Sequence, residues 1–471
     1  MSLEASDRSW RDLLAEGRLP RFALICLGVW LNAADALVTA TIMPSVGRDL
    51  GGYAYFGWAT AGYFTGAILA GATAGRLSEI FSLRRATIAA ALIYAAGCAL
   101  SAAGPDIGLF LAGRLVQGLG AGWISGFSYV AIGLLLPERH LARAFAAIAG
   151  VWGLATLVGP LVGGLFAQAG AWRGVFWLFA IQAAGFGLAA AWLLPAAARG
   201  ERAAGVPTRQ VALIAAGVAA ISVSGLGGGL LLAAGAGGLV LLWAAIRLDA
   251  RSQVRLFPRQ AGALSTPLGA GYAALFTMFA AGMGLSTYGP VVLQALRGLT
   301  PLEAGYVIGA EALGWTLAAF LVSGAGPPWP ARWIRIGAVL LVAALAALAL
   351  TVVDGPLTAV IVAASFAGAA YGVSWSFMSQ AVLAHAPEAE RGLASSSLGA
   401  VQQTGAAVGA ALSGAVANLS GATADVFTAT AARTVGLWVF VAALPPALLG
   451  VRFAWRLAAQ AGPGIESSET R

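Results

Sequence analysis

Asp35, Arg114 and Glu311 each fall inside a long apolar stretch of this sequence. A charged side chain at the centre of a bilayer costs about 2.5 to 3.5 kcal/mol on insertion scales, so it is kept for a partner or a function. Asn32, Asp35 and Thr39 stand at i, i+3 and i+7, which is one face of a helix, and Arg114 and Gln117 share a face of another. Arginine does not shed its proton, so a buried Arg114 needs a carboxylate or carbonyls, and Asp35 is the one mid-span acid in the first half. Where the two faces meet, the arginine favours the ionised carboxylate, while closing the site to water favours the neutral form. Such a group can load and lose a proton as its access to water alternates; the competing reading is a static pair tying two helices together. The second half offers Glu311 with Trp315 one turn on, and Tyr371, Trp375 and Met378 at i, i+4 and i+7 of a later stretch. Ring faces and a thioether beside a carboxylate suit lipophilic cations, although an aromatic stripe also serves as plain core packing.

The elements that hold these residues are membrane helices. The chain has 471 residues, of which 59% are hydrophobic and only 10% charged, with a mean hydropathy of +0.84. A soluble domain of this length needs far more charge on its surface. Apolar stretches long enough to span, about 20 residues each, run over 22–45, 54–77, 86–104, 107–136, 141–169 and 174–195. Two shorter ones over 210–226 and 228–247 are joined by SGLGG, and six more cover 267–295, 301–323, 333–353, 356–384, 392–419 and 434–457. The pattern reads as six, two and six, about fourteen spans, in an all-α polytopic membrane protein; laying 210–247 down as a re-entrant pair gives twelve. The expected divisions are an N-terminal amphipathic segment (1–20), a first six-helix part (21–196), a linker with two inserted helices (197–260), a second six-helix part (261–457) and a tail (458–471).

The positive-inside rule orients these spans. All 27 basic residues besides histidine are arginine; 22 fall in segments inside when both termini are cytoplasmic, and four (Arg48, Arg173, Arg297, Arg433) fall outside. The net charge of +8 is thus spread over many short loops, which points to the bilayer as partner and not to nucleic acid. Cys26 and Cys98 both lie in apolar stretches and suggest neither disulfide nor metal site. No GxSxG, HExxH or cysteine cluster is present, and His140 and His385 lie in or near inside loops, so an enzyme has no visible catalytic residues.

Five motifs carry a resemblance. GVWGLATLVGPLVGG, from Gly150 to Gly164, puts Gly150, Gly153, Gly159, Gly163, Gly164 and Pro160 in one helix, although glycine costs about 1 kcal/mol against alanine there and proline about 3. In a membrane such glycines let backbones approach closely. The stretch resembles the fifth-helix antiporter signature of the major facilitator superfamily. GRLSEIFSLRR resembles its loop signature, with Gly75, Glu79, Arg84 and Arg85 in place and departures at Ile80, Ser82 and Leu83, where a basic residue, a glycine and a second basic residue are usual. LNAADALVTATIMP is similar to the first-helix signature of its fourteen-span drug:proton antiporters, with Leu37 where threonine is expected, and GRLVQGLGAG resembles the proton-transfer motif. ERGLASSSLGAVQQTGAAVG, ending at Gly409, looks like a second-half counterpart of the glycine run, with Gln402 where arginine is common.

The resemblance covers roughly residues 20 to 457 and implies two six-helix bundles rocking about a midplane cavity. It implies a proton-coupled antiporter of the inner (plasma) membrane, multidrug-efflux-like, exporting a small lipophilic or cationic compound. Asp35, Arg114 and Glu311 would be the coupling residues. Asn32, Thr39, Gln117, Trp315, Tyr371, Trp375 and Met378 would line the substrate cavity, and the glycines and the Glu79 loop would gate it. The energy source is the proton gradient, without a cofactor, and the chain is expected to act as a monomer. The alternative is a carrier of the same fold for one metabolite or lipid, working by symport or facilitated diffusion.

Overall fold

The computed structural model describes residues 18–135, 138–196, 205–226, 230–326, 328–422 and 426–460. The N-terminal amphipathic run, the tail beyond 460 and part of each linker lie outside these residues. Among the described residues every regular element is helical. The fourteen α-helices are α1 (Arg18–Leu50), α2 (Phe56–Ile80), α3 (Leu83–Ala103), α4 (Ile107–Leu135), α5 (Glu138–Gln168), α6 (Trp172–Leu193), α7 (Thr208–Ser224), α8 (Leu230–Arg251), α9 (Pro267–Arg297), α10 (Pro301–Val322), α11 (Trp329–Thr351), α12 (Leu357–Ala384), α13 (Arg391–Ala417) and α14 (Ala429–Gln460).

Twelve of these are long and apolar enough to cross a membrane. The two that fall short are α7, with 17 residues, and α2, which is rich in glycine and threonine. Start signals are visible in the sequence. Thr266 and Thr300 each accept from a backbone N–H three residues on, with proline next in the chain, and Glu303 completes a capping box at α10.

The chain forms two compact units, one from Met1–Leu50 and Gly62–Val206 and the other from Gly51–Ala61 and Pro207–Arg471, over their described residues. In the first, α1 packs against α4, α5 and α6, and α3 against α4 and α6. At the end of α1, Asp49 accepts from the Trp172 indole at 3.0 Å and pairs with Arg173, fastening α1 to α6. In the second, α9 packs against α13 and α14, α12 against α10 and α11, and α11 against α14. The inserted pair α7 and α8 belongs to this unit, where α7 meets α13 at the close approach of Gly225 to Ala415. Buried Asp249 at the end of α8 accepts from the backbone of Leu256 and Phe257 at 2.6 and 2.9 Å, and Arg255 pairs with Glu390 at 2.7 Å, so the strand of chain leading to α9 is held at several points.

Candidate functional site

Glycine decides where α4 sits. A side chain on Gly97 would strike the backbone of Gln117, and one on Gly120 the backbone of Tyr94, so α3 and α4 run almost in backbone contact. On another face of α4, Gly118 meets the Tyr63 carbonyl and Gly122 the Ala67 carbonyl, seating it against α2. Gly28 of α1 leaves room for Ser128 of α4. With three neighbours this close, small residues set the crossings and the polar side chains between them have one place to go.

Those side chains meet. Arg114 of α4 reaches Asp35 of α1, its Nη1 donating to Oδ1 at 3.1 Å and to Oδ2 at 3.0 Å, and to Gln117 Oε1 at 2.6 Å. Gln117 Nε2 donates to Asp35 Oδ1 at 2.8 Å, and Thr39 Oγ1 to the same oxygen at 3.3 Å. Asp35 and Gln117 are sealed from solvent, and Arg114 and Thr39 are buried. All three contacts of the guanidinium run through one nitrogen; its Nε is buried without a partner. The planar fork is therefore not used as a fork. Asp35 stands at the middle of the 33-residue α1, as the spacing predicts, and Asn32 one turn away donates to Ser125 at 3.3 Å and accepts from Tyr63 at 2.7 Å. Tyr63 went unnoticed in the sequence, yet its ring lies 4.5 Å from the Arg114 guanidinium carbon, a cation–π contact that closes the network from α2. Its signal was a tyrosine one crossing from GLGAG, which becomes readable only once the α2–α4 pairing is known.

In the second unit, Gly368 and Gly372 of α12 seat on the carbonyls of Glu311 and Trp315 of α10. Trp315 stacks on Tyr371 at 5.2 Å and 19°, and Phe279 of α9 lies 5.1 Å from Tyr371 and 5.9 Å from Trp315. Tyr371, Trp375 and Met378 line one narrow crevice with Leu275, Met278, Phe279 and Ser374, too tight to hold a water-sized group. The Tyr371 hydroxyl donates to the Met278 carbonyl at 2.8 Å and that of Ser374 to the Ala370 carbonyl at 2.6 Å, so the recess presents ring faces, thioethers and aliphatic groups more than free hydroxyls. Glu311 is half-buried at the middle of α10, does not line the recess, and has no hydrogen-bond or ion-pair partner among the described residues. Phe279 and Met278 were missed in the sequence because nothing there ties α9 to α12.

The glycine run divides. Gly159 of α5 sits 2.8 Å from Leu37 by its absent Cβ, and Gly163 is equally close to Thr41 and Val38, so these two seat α5 on the α1 turn that follows Asp35, while Gly150 faces open space. Pro160 and Gly164 are buried, and Gly153 is half-buried. After α2, Glu79 pairs with Arg76 at 2.6 Å, one turn earlier on its own helix; Arg84 and Arg85 open α3 beyond the turn. Ser82 in that turn has φ 44° and ψ 145°, a conformation suited to glycine, at the position where the resemblance calls for glycine.

A family model described as Major Facilitator Superfamily matches residues 25–410. A protein named probable multidrug-efflux transporter, from two strains of Mycobacterium tuberculosis, is 30% identical over 443 residues, covering 87% of this chain and 90% of its own. An acurin A biosynthesis cluster MFS-type transporter of Aspergillus aculeatus is 35% identical over 157 residues, 33% of this chain and 28% of its own. Among solved structures, a D-xylose-proton symporter aligns with a TM-score of 0.62 at 18% identity, over 92% of this chain and 97% of that one. An auto-inhibited POT family peptide transporter aligns with 0.67 at 16%, over 96% and 99%. At such identities the likeness is one of fold.

Proposed function

Since the chain belongs to the major facilitator superfamily and is a multi-pass secondary transporter, we propose that it exports small lipophilic or cationic compounds in exchange for protons. The observation that carries this reading is the solvent-sealed Asp35 held by Arg114 and Gln117 across α1 and α4. Asp35 is the proton carrier. In the sealed state the ion pair balances its charge; when the site opens, water delivers a proton, the carboxyl becomes neutral, and Arg114 loses its counter-charge and turns to another acceptor. Gln117, which accepts from Arg114 and donates to Asp35, keeps both groups hydrogen-bonded as they separate. The Phe279–Trp315–Tyr371 rings receive the apolar part of the substrate once the crevice beside them widens, and Glu311 attracts a positive charge. The relatives named for multidrug efflux support the export direction.

The energetics suffice. One proton moving inward down one pH unit and 100 mV releases about 1.4 plus about 2.3 kcal/mol. That sustains a gradient of a few hundredfold for a neutral compound. This reading puts the protein in the plasma membrane with both termini cytoplasmic, where that gradient exists.

Purified protein in vesicles with an imposed pH gradient tests the reading. A lipophilic cation such as tetraphenylphosphonium is expected to move against protons, and Asp35→Asn to abolish the coupled flux while substrate binding persists. Coupled flux that survives Asp35→Asn removes Asp35 from the mechanism, and substrate and proton moving the same way overturns exchange in favour of symport.

A further inference from the structure

Some arginines of the described structure pair with carboxylates: Arg76 with Glu79, Arg114 with Asp35, Arg173 with Asp49, Arg255 with Glu390 and Arg433 with Asp354. At the end of the second unit where α11 begins and α14 finishes, four arginines stand without such a pair and beside tryptophan. Arg332 and Arg335 of α11 and Arg452 and Arg456 of α14 pair with no carboxylate among the described residues. Arg456 Nη1 donates to the Leu264 carbonyl at 3.0 Å, which leaves its charge uncompensated.

The arginines are set in tryptophan. Trp329 stacks on Trp333 at 5.7 Å, the Arg332 guanidinium carbon lies 5.1 Å from the Trp329 ring, and that of Arg335 lies 5.9 Å from the Trp455 ring. Trp329 and Trp455 are 44% and 42% exposed, so the ring faces are open to the surroundings. Two donors inside the cluster, Arg335 Nε and Trp333 Nε1, are buried without an acceptor, and Arg335 has no hydrogen bond to any described residue. Buried N–H groups are nearly always satisfied, so an orphaned donor on each of two residues in the first turns of α11 calls for acceptors from outside the chain. The start of α11 adds its own positive end, since its N-cap, Pro328, provides no side-chain acceptor.

We propose that this end of α11 and α14 binds the phosphate of an anionic phospholipid. The chemistry selects that occupant: a singly charged phosphodiester takes N–H donors from Arg335 and Trp333 with Arg332 and Arg452 at its rim, while the glycerol and upper acyl carbons lie along the tryptophan faces. Cation and ring stand at a helix end, where headgroups lie in a bilayer. A free inorganic phosphate would use the arginines and leave the rings without a role. The arginine asymmetry of the loops puts this end on the cytoplasmic side, so the lipid belongs to the inner leaflet.

Native mass spectrometry of the full-length protein released from detergent tests the proposal, with phosphatidylglycerol, phosphatidylcholine and inorganic phosphate as probes. Phosphatidylglycerol is expected to be retained about tenfold better than phosphatidylcholine, and Arg335→Gln to remove most of that preference, the scale of a charge-assisted bond. Trp333→Phe keeps the ring but deletes its donor and is expected to weaken phosphatidylglycerol retention in a protein that still elutes as a monodisperse species. This separates lost binding from lost folding. Arg209→Gln, a charge removed elsewhere, is expected to change nothing. Equal retention of the two lipids, a preference untouched by both cluster variants, or equal loss with Arg209→Gln overturns the site. Inorganic phosphate that displaces phosphatidylglycerol at equal concentration overturns the lipid assignment. Deleting residues 461–471, which carry Glu466 and Glu469, tests the chain's own carboxylates as occupants: unchanged retention supports the lipid, and retention seen only after the deletion overturns it.

Discussion

The two units are built on one crossing and loaded with opposite chemistry. On α4, Gly118 and Gly122 seat on the carbonyls of Tyr63 and Ala67; on α12, Gly368 and Gly372 seat on those of Glu311 and Trp315, with Ala70 and Ala318 next along the contact. Superposing the glycines brings Arg114 onto Ala364, Gln117 onto Ala367 and Tyr63 onto Glu311. The same holds one helix over: α5 seats Gly159 and Gly163 on α1 and α13 seats Gly405 and Gly409 on Phe276 and Ala280 of α9, and matching the Val38 carbonyl to that of Ala280 brings Asp35 onto Thr277. The three members of the ion-pair centre thus have two alanines and a threonine in their places in the second unit. In exchange, that unit carries a carboxylate without a cation and a stack of three rings. Glycine is therefore scaffolding in both, and the chemical difference between the units resides in a handful of side chains laid on it.

The comparison breaks hardest at the buried pair. Arg114→Ala leaves Asp35 sealed without a cation and is expected to destabilise the protein by about 3 to 5 kcal/mol, measured by thermal unfolding in detergent. The double change Asp35→Ala with Arg114→Ala removes both charges, as the second unit does with Thr277 and Ala364. It is expected to recover most of that stability and none of the coupled transport. If the double variant is as unstable as the single one, the two units do not share an interchangeable scaffold.

The seating glycines come next. Gly159→Leu forces a side chain against Leu37, with an expected cost of about 1 to 3 kcal/mol and loss of coupled flux. Gly150→Leu, into open space, is expected to leave both within error. Equal behaviour of the two would reduce the run to ordinary helix composition.

Glu311→Gln tests the unpaired carboxylate. KM for a cationic substrate is expected to rise about tenfold, the scale of one contact to a charge, with little change for a neutral analogue. Equal effects on both would leave Glu311 without a part in charge selection. The smallest effect is expected at Ser82, outside both crossings. Ser82→Gly relieves the φ of 44° and should raise stability by about 1 kcal/mol, seen as a small increase in Tm with transport unchanged.

The helices were legible from the sequence to within a few residues, because lipid demands long apolar stretches and Thr-Pro and glycine mark their ends. Asp35 and Arg114 were legible as a pair because each lacked any other explanation in its half of the chain. What the sequence hid was adjacency without charge. Tyr63 on α2 and Phe279 on α9 join the network and the ring stack through crossings set by glycines, and small residues pack alike against any neighbour that fits. One partner of Glu79 was also hidden: the loop signature does not name Arg76, with which Glu79 pairs one turn back on its own helix at little cost in side-chain entropy.

Arg114 holds Asp35 through a single nitrogen, and that bears on speed more than on strength. Each further charge-assisted bond would add about 1.5 to 3 kcal/mol to the barrier for letting go, roughly ten- to a hundredfold in release rate. A carrier that must exchange its proton in every cycle is throttled by its slowest dissociation. Under the proposed proton exchange, the one-nitrogen grip favours fast release and leaves the rest of the guanidinium ready to meet whichever acceptor replaces the carboxylate.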